Sequence, residues 1–389
     1  MIDTTARSTV LDTVRGFALF GICVTNMNVA SAFWSIGGTP DDWYPLFDGT
    51  ADHLTDATVI AFFSGRFYLL FAFLFGYAFT LQIAAAERAG VAPAPRLVRR
   101  CLALLTLGVL HVELLWLNDI LTLFGVLGLL LVALRGIGDR TAVILAGALL
   151  VAWTALWLLP DNDTRDVYSA LDLPGYAQRY AGSFSSTLAA QTELAPFFLI
   201  LVWVAQAVPS FAMLLLGLVA GRRGLLTDTA RLRRRAPWVL VGGLAVGVPV
   251  SAVTFVNHLG WWDAPDYWGS VQGAVDPLMA AAYLAGIALL ATSRSGARVT
   301  AILAPAGRMA ASNYIAQSVL LMLVLTGYGF ALADELPPLA VLGVSVLIVA
   351  ALYTASSRWL AQHPYGPVEW LLRAVTYNTL APWRIDQGA

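Results

Sequence analysis

Apolar runs of about twenty residues recur along this chain, separated by short polar segments. A helix of about 20 apolar residues crosses the ~30 Å hydrocarbon core of a bilayer. Inside that core every backbone N–H and C=O must find a partner within the chain, so the runs have to be helices. The short alternating strands of a transmembrane barrel are not seen. Ten spans are expected, at about 10–33, 56–86, 98–117, 119–135, 141–159, 194–221, 237–256, 272–292, 310–332 and 338–361, in one transmembrane domain covering 1–389. A further amphipathic helix near 366–377 is expected at the interface. The expected fold class is an all-α polytopic bundle.

Only 12% of the 389 residues are charged, against roughly 25% in soluble domains. That excludes a water-soluble enzyme, a disordered chain and a nucleic-acid-binding domain, and a formal net charge of −1 gives no field for polyanions. All 23 basic residues are arginine, which removes a catalytic lysine, a Schiff base and a P-loop. The two cysteines, Cys23 and Cys101, sit in apolar segments and read as small filler rather than a disulfide or metal site.

The arginines also orient the chain, because short cytoplasmic loops carry an excess of them. With the N-terminus cytoplasmic, inside segments hold 18 arginines, among them Arg88, Arg96, Arg99, Arg100, Arg135, Arg140 and the cluster 222–235, whereas outside loops hold Arg165 and Arg179. Both termini are therefore expected inside, in the bacterial cytoplasmic membrane. A cleaved signal peptide ending near Ala30-Ser31-Ala32 is the weaker reading, since 10–33 carries polar residues that such a core does not need. No internal repeat is visible, which counts against a transporter built from duplicated halves. Loops 34–55 and 257–271 are aromatic and acidic, with Trp34, Trp43, Trp261, Trp262 and Trp268, and loop 160–192 holds Asp161, Asp163, Asp166 and Asp172. Interfacial belting accounts for the tryptophans, and a lid over an outward pocket is the sharper alternative.

Ionisable groups near the bilayer centre cost at least ~2.5–3.5 kcal/mol each, so they have partners or a task. Arg15 lies about one turn inside the membrane with Asp12 on the same helix face. A snorkelling ion pair explains it as well as a site does. Asn26 and Asn28, deeper on that span, need interior partners. Arg66, in Ser64-Gly65-Arg66-Phe67, is expected in the outer third of its helix, either snorkelling or facing an outward cavity. His111, Glu113 and Asp119 surround a tight outer turn, with the imidazole roughly 7–8 Å below it by helical rise. Asp119 can reach the same cavity, and a histidine oriented by a carboxylate makes a general base of suitable tautomer. The alternative is a buried histidine bonded to a nearby carbonyl. His53, His258 and His363 fall in loops or at edges, so no multi-histidine metal site is expected.

On the cytoplasmic side, Asn313 and Gln317 share a helix face with Arg308 near the helix start, where an anion or a structural cap could sit. Glu369 and Arg373 are spaced for an i,i+4 ion pair. The arginines of 222–235 read mainly as topology and contact with anionic lipid.

The segments LDTVRGFALFGICVTN, GRFYLLFAFLFGYAF, RRCLALLTLGVLHVELLWLNDILTLFG, APAGRMAASNYIAQS and HPYGPVEWLLRAVTY occur in this order. Together they resemble the YeiB-like family of bacterial membrane proteins over essentially the whole chain, with Arg66 standing where the family has lysine. That family is grouped with transmembrane acyltransferases such as heparan-alpha-glucosaminide N-acetyltransferase and bacterial sugar O-acetyltransferases. The resemblance implies acyl-CoA as donor from the cytoplasm, an acceptor on the far side and a membrane histidine central to transfer.

On that reading His111 is the base and Asp119 its orienter. Arg66, Asn26, Arg15 and Glu113 are candidates for substrate contact and oxyanion stabilisation, and Arg308, Asn313, Gln317 and Arg373 for the donor. The expected acceptor is a sugar, lipid or small molecule bearing a hydroxyl or amine. Membrane lipids are expected partners, a homodimer is one assembly such a chain can form, and no metal is called for. The rival expectation is a transporter or channel in which Arg, His and Asp line a substrate or proton path. A non-catalytic scaffold leaves those charges unexplained.

Overall fold

The computed structural model describes residues 4–32, 47, 49–159 and 173–385. Among them are helices and no strand: α1 (Thr4–Ala32), α2 (Thr50–Phe62), α3 (Phe67–Arg88), α4 (Pro93–Leu114), α5 (Leu121–Ala133), α6 (Asp139–Trp157) and α7 (Leu173–Tyr180), followed by α8 (Phe184–Arg222), α9 (Thr229–His258), α10 (Trp268–Ala291), α11 (Ala297–Arg308), α12 (Ala310–Leu325), α13 (Pro338–Leu360) and α14 (Pro367–Tyr377). Each of the ten expected spans overlaps one or more of these helices. Among the described residues, seven stretches are long and apolar enough to cross a membrane, eight if the bent pair α11–α12 counts as one span. The loops around Trp34 and Trp43 and around Asp161 to Asp172 lie outside the described residues.

α1 is the axis of the bundle. Its stretch Thr9–Ser31 is 67% buried, against 11% for α6, and it packs most closely on α11, with α13, α10, α12 and α3 around it. α6 presents its apolar side chains outward, as a lipid-facing helix does.

Two chain segments depart from the expected spans. α4 and α5 form a hairpin, and neither is among the stretches long and apolar enough to cross a membrane. Arg99, Arg100 and Glu113 interrupt the apolar run of α4, and α5 has 13 residues, a rise of about 20 Å. Their connecting turn is not an outer surface loop, because Trp116, Leu117, Asp119 and Ile120 are all buried. It is covered from the end opposite the arginines: Gln191 of α8 donates to the Val112 carbonyl at 2.6 Å and accepts from the Tyr180 hydroxyl of α7 at 2.6 Å. Glu193 ties α7 to α8 through Tyr176 and Arg179, and its hydrogen bond holds the Tyr176 phenol above the ordinary tyrosine range.

The second departure is the pair of broken helices. The expected span 56–86 is divided between α2 and α3 at Phe63–Arg66, where Gly65 has φ +83°, a conformation that costs a side chain strain. The carbonyls freed by this break, Ile60 and Ser64, accept from Arg66 at 3.4 and 3.0 Å, and that of Phe62 accepts from Tyr283 at 2.7 Å. The span expected at 310–332 ends at Leu325 and is preceded by α11, which meets it at a bend of 84°. Non-helical backbone at membrane depth persists only where protein groups satisfy it in this way.

Candidate functional site

The hairpin places His111 on the last turn of α4 and Asp119 just before α5. Gly108, one turn before His111, permits this: a Cβ there would lie 2.3 Å from the Thr122 nitrogen and 2.9 Å from Asp119 Oδ2. Asp119 caps α5, its Oδ2 accepting from the Thr122 amide at 2.6 Å. Trp203 of α8 donates to the Thr122 hydroxyl at 3.2 Å. Asp119 Oδ1 lies 2.9 Å from His111 Nδ1, both side chains 1% exposed. The approach is close but off-line for an N–H···O bond. The expected dyad is therefore present, and eleven residues from Arg100 set it about 16 Å in from the arginine-bearing end.

The other imidazole nitrogen, Nε2, is 2.8 Å from Ser318 Oγ on α12. The Tyr314 ring lies 5.0 Å from the imidazole, and its hydroxyl makes long contacts of 3.3 Å with the Asn118 carbonyl and the Ile120 amide. Asn118 in turn donates to Asn26 at 3.3 Å and accepts from Gln206 at 3.4 Å. Asn26 thus reaches the dyad through Asn118. Glu113 is half-buried and makes no hydrogen bond or ion pair to the dyad.

A cavity of about 180 Å³ runs inward from the arginine-bearing end. Its lining holds Arg15, Arg100 and Arg308 with the carboxylate of Glu369, the rings of Phe71, Phe75 and Phe124, and Ile120 and Tyr314, which separate it from the dyad. Arg15 pairs with Asp12 at 3.2 Å, and Arg308 donates to the Pro364 carbonyl at 3.4 Å. The buried Nε of Arg100 has no hydrogen-bond partner among the described residues. Arg100, read from the sequence only as a topology residue, is the third guanidinium of this lining.

Asn313 and Gln317 are used locally. Asn313 donates to the Ala306 carbonyl at 3.0 Å, satisfying the α11–α12 break, and Gln317 to the Leu19 carbonyl at 3.1 Å. The expected Glu369–Arg373 ion pair is not formed. Glu369 instead caps α12, accepting from the Ala311 and Ser312 amides at 2.6 and 3.1 Å and the Ser312 hydroxyl at 2.5 Å. Of the two readings of the α12 N-terminus, an anion site or a structural cap, the structure has the cap, the 84° bend turning this end toward α14 and its carboxylate. Arg373 lies over the rings of Tyr365 and Tyr377, 4.9 and 4.5 Å from their centroids.

Arg66 is buried behind a different cavity, which its partner Asp276 lines. It is 1% exposed, 3.1 Å from Asp276 of α10, and donates to Ser251 at 3.0 Å. Asp276 lines a hollow of about 560 Å³ with Ser64, Asn257, His258, Trp268 and Gln272. At its rim His258 Nε2 is 2.7 Å from Asp56, which also accepts from Asn28 at 3.0 Å. The two cavities share no lining residue. No cluster of three or more His, Cys, Asp or Glu with metal-binding geometry occurs among the described residues.

Sequence reading missed Ser318, Tyr314 and Asp276. Asp276 carried the signal used for Arg66, an ionisable group within an apolar run. Ser318 carried none, since a serine on an apolar helix more often bonds its own backbone.

Residues 220–379 match the family described as "Protein of unknown function (DUF418)". The chain is 27% identical to the uncharacterized protein YxaH of Bacillus subtilis (strain 168), covering 97% of this chain and 96% of that protein. It is 27% identical to an uncharacterized 39.9 kDa protein in the amylase 3' region of Bacillus acidopullulyticus, covering 97% and 96%. With the uncharacterized protein YeiB of Escherichia coli (strain K12) the identity is 26%, covering 97% and 98%. No solved structure matches. The likeness to the YeiB-like family read from the five motifs is thereby shown, along 97% of the chain with YxaH and YeiB and through the DUF418 match over residues 220–379.

Proposed function

We propose that this protein is a membrane acyltransferase that moves an acyl group from acyl-CoA, taken up at the arginine-bearing end, to a hydroxyl or amine at His111. The observation that carries the reading is the arginine-lined cavity that reaches Ile120 and Tyr314, the immediate neighbours of the His111–Asp119 pair. Arg15, Arg100 and Arg308 offer charge-assisted donors to phosphates. The apolar channel suits the thioester arm, and the nucleotide stays outside a hollow of this size. With Asp119 at Nδ1, the neutral imidazole carries its proton there, so Nε2 accepts the proton of the attacking group. The acyl–sulfur bond breaks, a new acyl–oxygen or acyl–nitrogen bond forms, and that proton leaves on the CoA thiol.

The arginine-bearing end is read as cytoplasmic, with both termini there, on the 18-to-2 arginine asymmetry. The hairpin fits this, since it returns to the side it entered from and leaves every later span's direction unchanged. The similar bacterial proteins support placement in the cytoplasmic membrane. The acceptor, in this reading, is a sugar, lipid or small molecule. Transport is the second reading, favoured by the far-end cavity on Asp276 and by the two broken helices. It requires the two cavities to join, whereas the dyad's neighbours Ile120 and Tyr314 line only the arginine-end cavity.

Titration calorimetry of the protein in lipid nanodiscs with acetyl-CoA and longer acyl-CoAs tests the proposal. Saturable binding is expected, weakened by Arg100→Gln or Arg308→Gln. His111→Ala should bind as the parent does and transfer ~10²–10⁴-fold more slowly. Folded protein that binds no acyl-CoA would put transport first.

A further inference from the structure

The geometry points to a covalent route: we infer that Ser318 is the nucleophile of a Ser318–His111–Asp119 triad and carries the acyl group as an ester between donor and acceptor. The inference rests on the acyl-transfer reading for its donor, not for the triad itself. Three elements converge to build it, α12, α4 and the α4–α5 turn, with Ser318 and His111 207 residues apart in sequence. Both polar contacts of the imidazole are side-chain atoms, Asp119 Oδ1 at 2.9 Å and Ser318 Oγ at 2.8 Å. A histidine buried for structure alone needs nothing more than a carbonyl; here one nitrogen meets a carboxylate and the other a hydroxyl, the arrangement that activates a serine. Ser318 Oγ also lies 3.3 Å from the Tyr314 carbonyl, the usual partner of a helical serine, but its approach to His111 is shorter. The off-line Nδ1–Oδ1 approach is of the kind that tightens as the imidazolium forms.

Access is from the arginine end. Tyr314 stands between the cavity and the imidazole and is four residues from Ser318 on α12. Tyr314 is 3% exposed, so access requires its ring to turn aside; its hydroxyl is held by two long 3.3 Å contacts, and in the turned position its O–H can face the carbonyl oxygen of a bound thioester. In the first half-reaction Ser318 Oγ attacks the thioester carbon and His111 Nε2 takes the hydroxyl proton. The carbon–sulfur bond breaks, and the proton passes from His111 to the departing thiolate, releasing free CoA and leaving an ester on Ser318. In the second, the acceptor hydroxyl or amine attacks that ester, His111 takes its proton and returns it to Ser318 Oγ. Water in the acceptor's place gives the free acid, so slow acyl-CoA hydrolysis accompanies the triad.

The test mixes full-length protein in nanodiscs with acetyl-CoA or a long-chain acyl-CoA and no acceptor. The expected result is a burst of free CoA matched by an acyl adduct, mapped by mass spectrometry to the peptide carrying Ser318. Ser318→Ala should lose the adduct and slow transfer by ~10³-fold or more, with its unfolding midpoint near the parent's. Ser318→Cys should form a thioester adduct that hydroxylamine removes, a signature that a packing role does not produce. Transfer by folded Ser318→Ala within about threefold of the parent overturns the triad while leaving direct transfer standing. If the parent releases no CoA from any acyl-CoA, the donor assignment fails, and a small fluorophosphonate decides the rest. Labelling at Ser318 keeps the nucleophile with another acyl donor, and unlabelled folded protein overturns it.

Discussion

Asp119 has two tasks on two oxygens, and they can be separated. Oδ2 caps α5 and Oδ1 faces His111. Asp119→Asn keeps an acceptor for the Thr122 amide but loses the negative charge that favours the imidazolium. Its unfolding midpoint should stay near the parent's while transfer falls by ~10⁴-fold, the scale of an Asp-to-Asn change in a serine triad. Asp119→Ala should lose the cap as well, at about 0.5–2 kcal/mol; a fall in stability of equal size in both variants would refute the division. The Arg66–Asp276 pair tests the same logic where both partners are buried. Removing one charge strands the other, so Arg66→Ala should cost about 3–5 kcal/mol in detergent unfolding. Arg66→Met with Asp276→Leu should recover part of that, limited by the Ile60 and Ser64 carbonyls that Arg66 also satisfies. The dyad was legible in sequence because two ionisable residues eight apart stood out in apolar surroundings. Ser318 was not, because only the course of α12 past α4 gives it a partner.

At the scale of elements, the hairpin depends on Gly108. A methyl there meets backbone, the Thr122 nitrogen at 2.3 Å, which cannot swing away as a side-chain end can. Gly108→Ala should lower the unfolding midpoint and the transfer rate together, because α5 is displaced with its cap. Gly147→Ala on α6, with nothing within 4 Å of its Cβ position, is the control and should be neutral or slightly stabilising. A Gly108→Ala protein as stable and active as Gly147→Ala would mean that the hairpin packs less tightly than described. Hydropathy located the helical segments, but not where they break or bend. Gly65 sits in an apolar run that reads as continuous, and its φ of +83° is set by tertiary contacts. The α11 segment carries Arg298, Pro305 and Arg308 and reads as a connector, yet it packs along α1. Glu369 and Arg373 have the spacing of an ion pair, but two α12 amides and a hydroxyl take the carboxylate, while the half-buried guanidinium lies over the Tyr365 and Tyr377 rings.

For the whole molecule, the decisive question is which side each end faces and whether the hairpin crosses. Hydropathy treats 98–117 and 119–135 as a full crossing and return, and the arginines cannot tell this from a hairpin that turns inside, since both bring the chain back to the same side. Chemistry separates the two. Cys23 and Cys101 are 2% and 0% exposed, so introduced cysteines should be the ones that react with a membrane-impermeant maleimide. Ala92→Cys, Gly136→Cys and Ala230→Cys should label only when the cytoplasmic side is open to reagent, and Trp261→Cys, at an exposed site on the opposite end, from outside intact cells. Leu117→Cys, at the 1% exposed hairpin turn, should stay unlabelled from both sides until the protein is denatured. Labelling of Leu117→Cys from outside would mean that the turn emerges and that His111 opens toward the far side. In that case the acceptor would meet His111 directly from outside, and α7 with the start of α8 would act as its gate rather than its cover. Protection from both sides would instead leave the arginine-lined cavity as the described approach to the dyad, and would tie every substrate of His111 to the end of the bundle where Arg15, Arg100 and Arg308 stand.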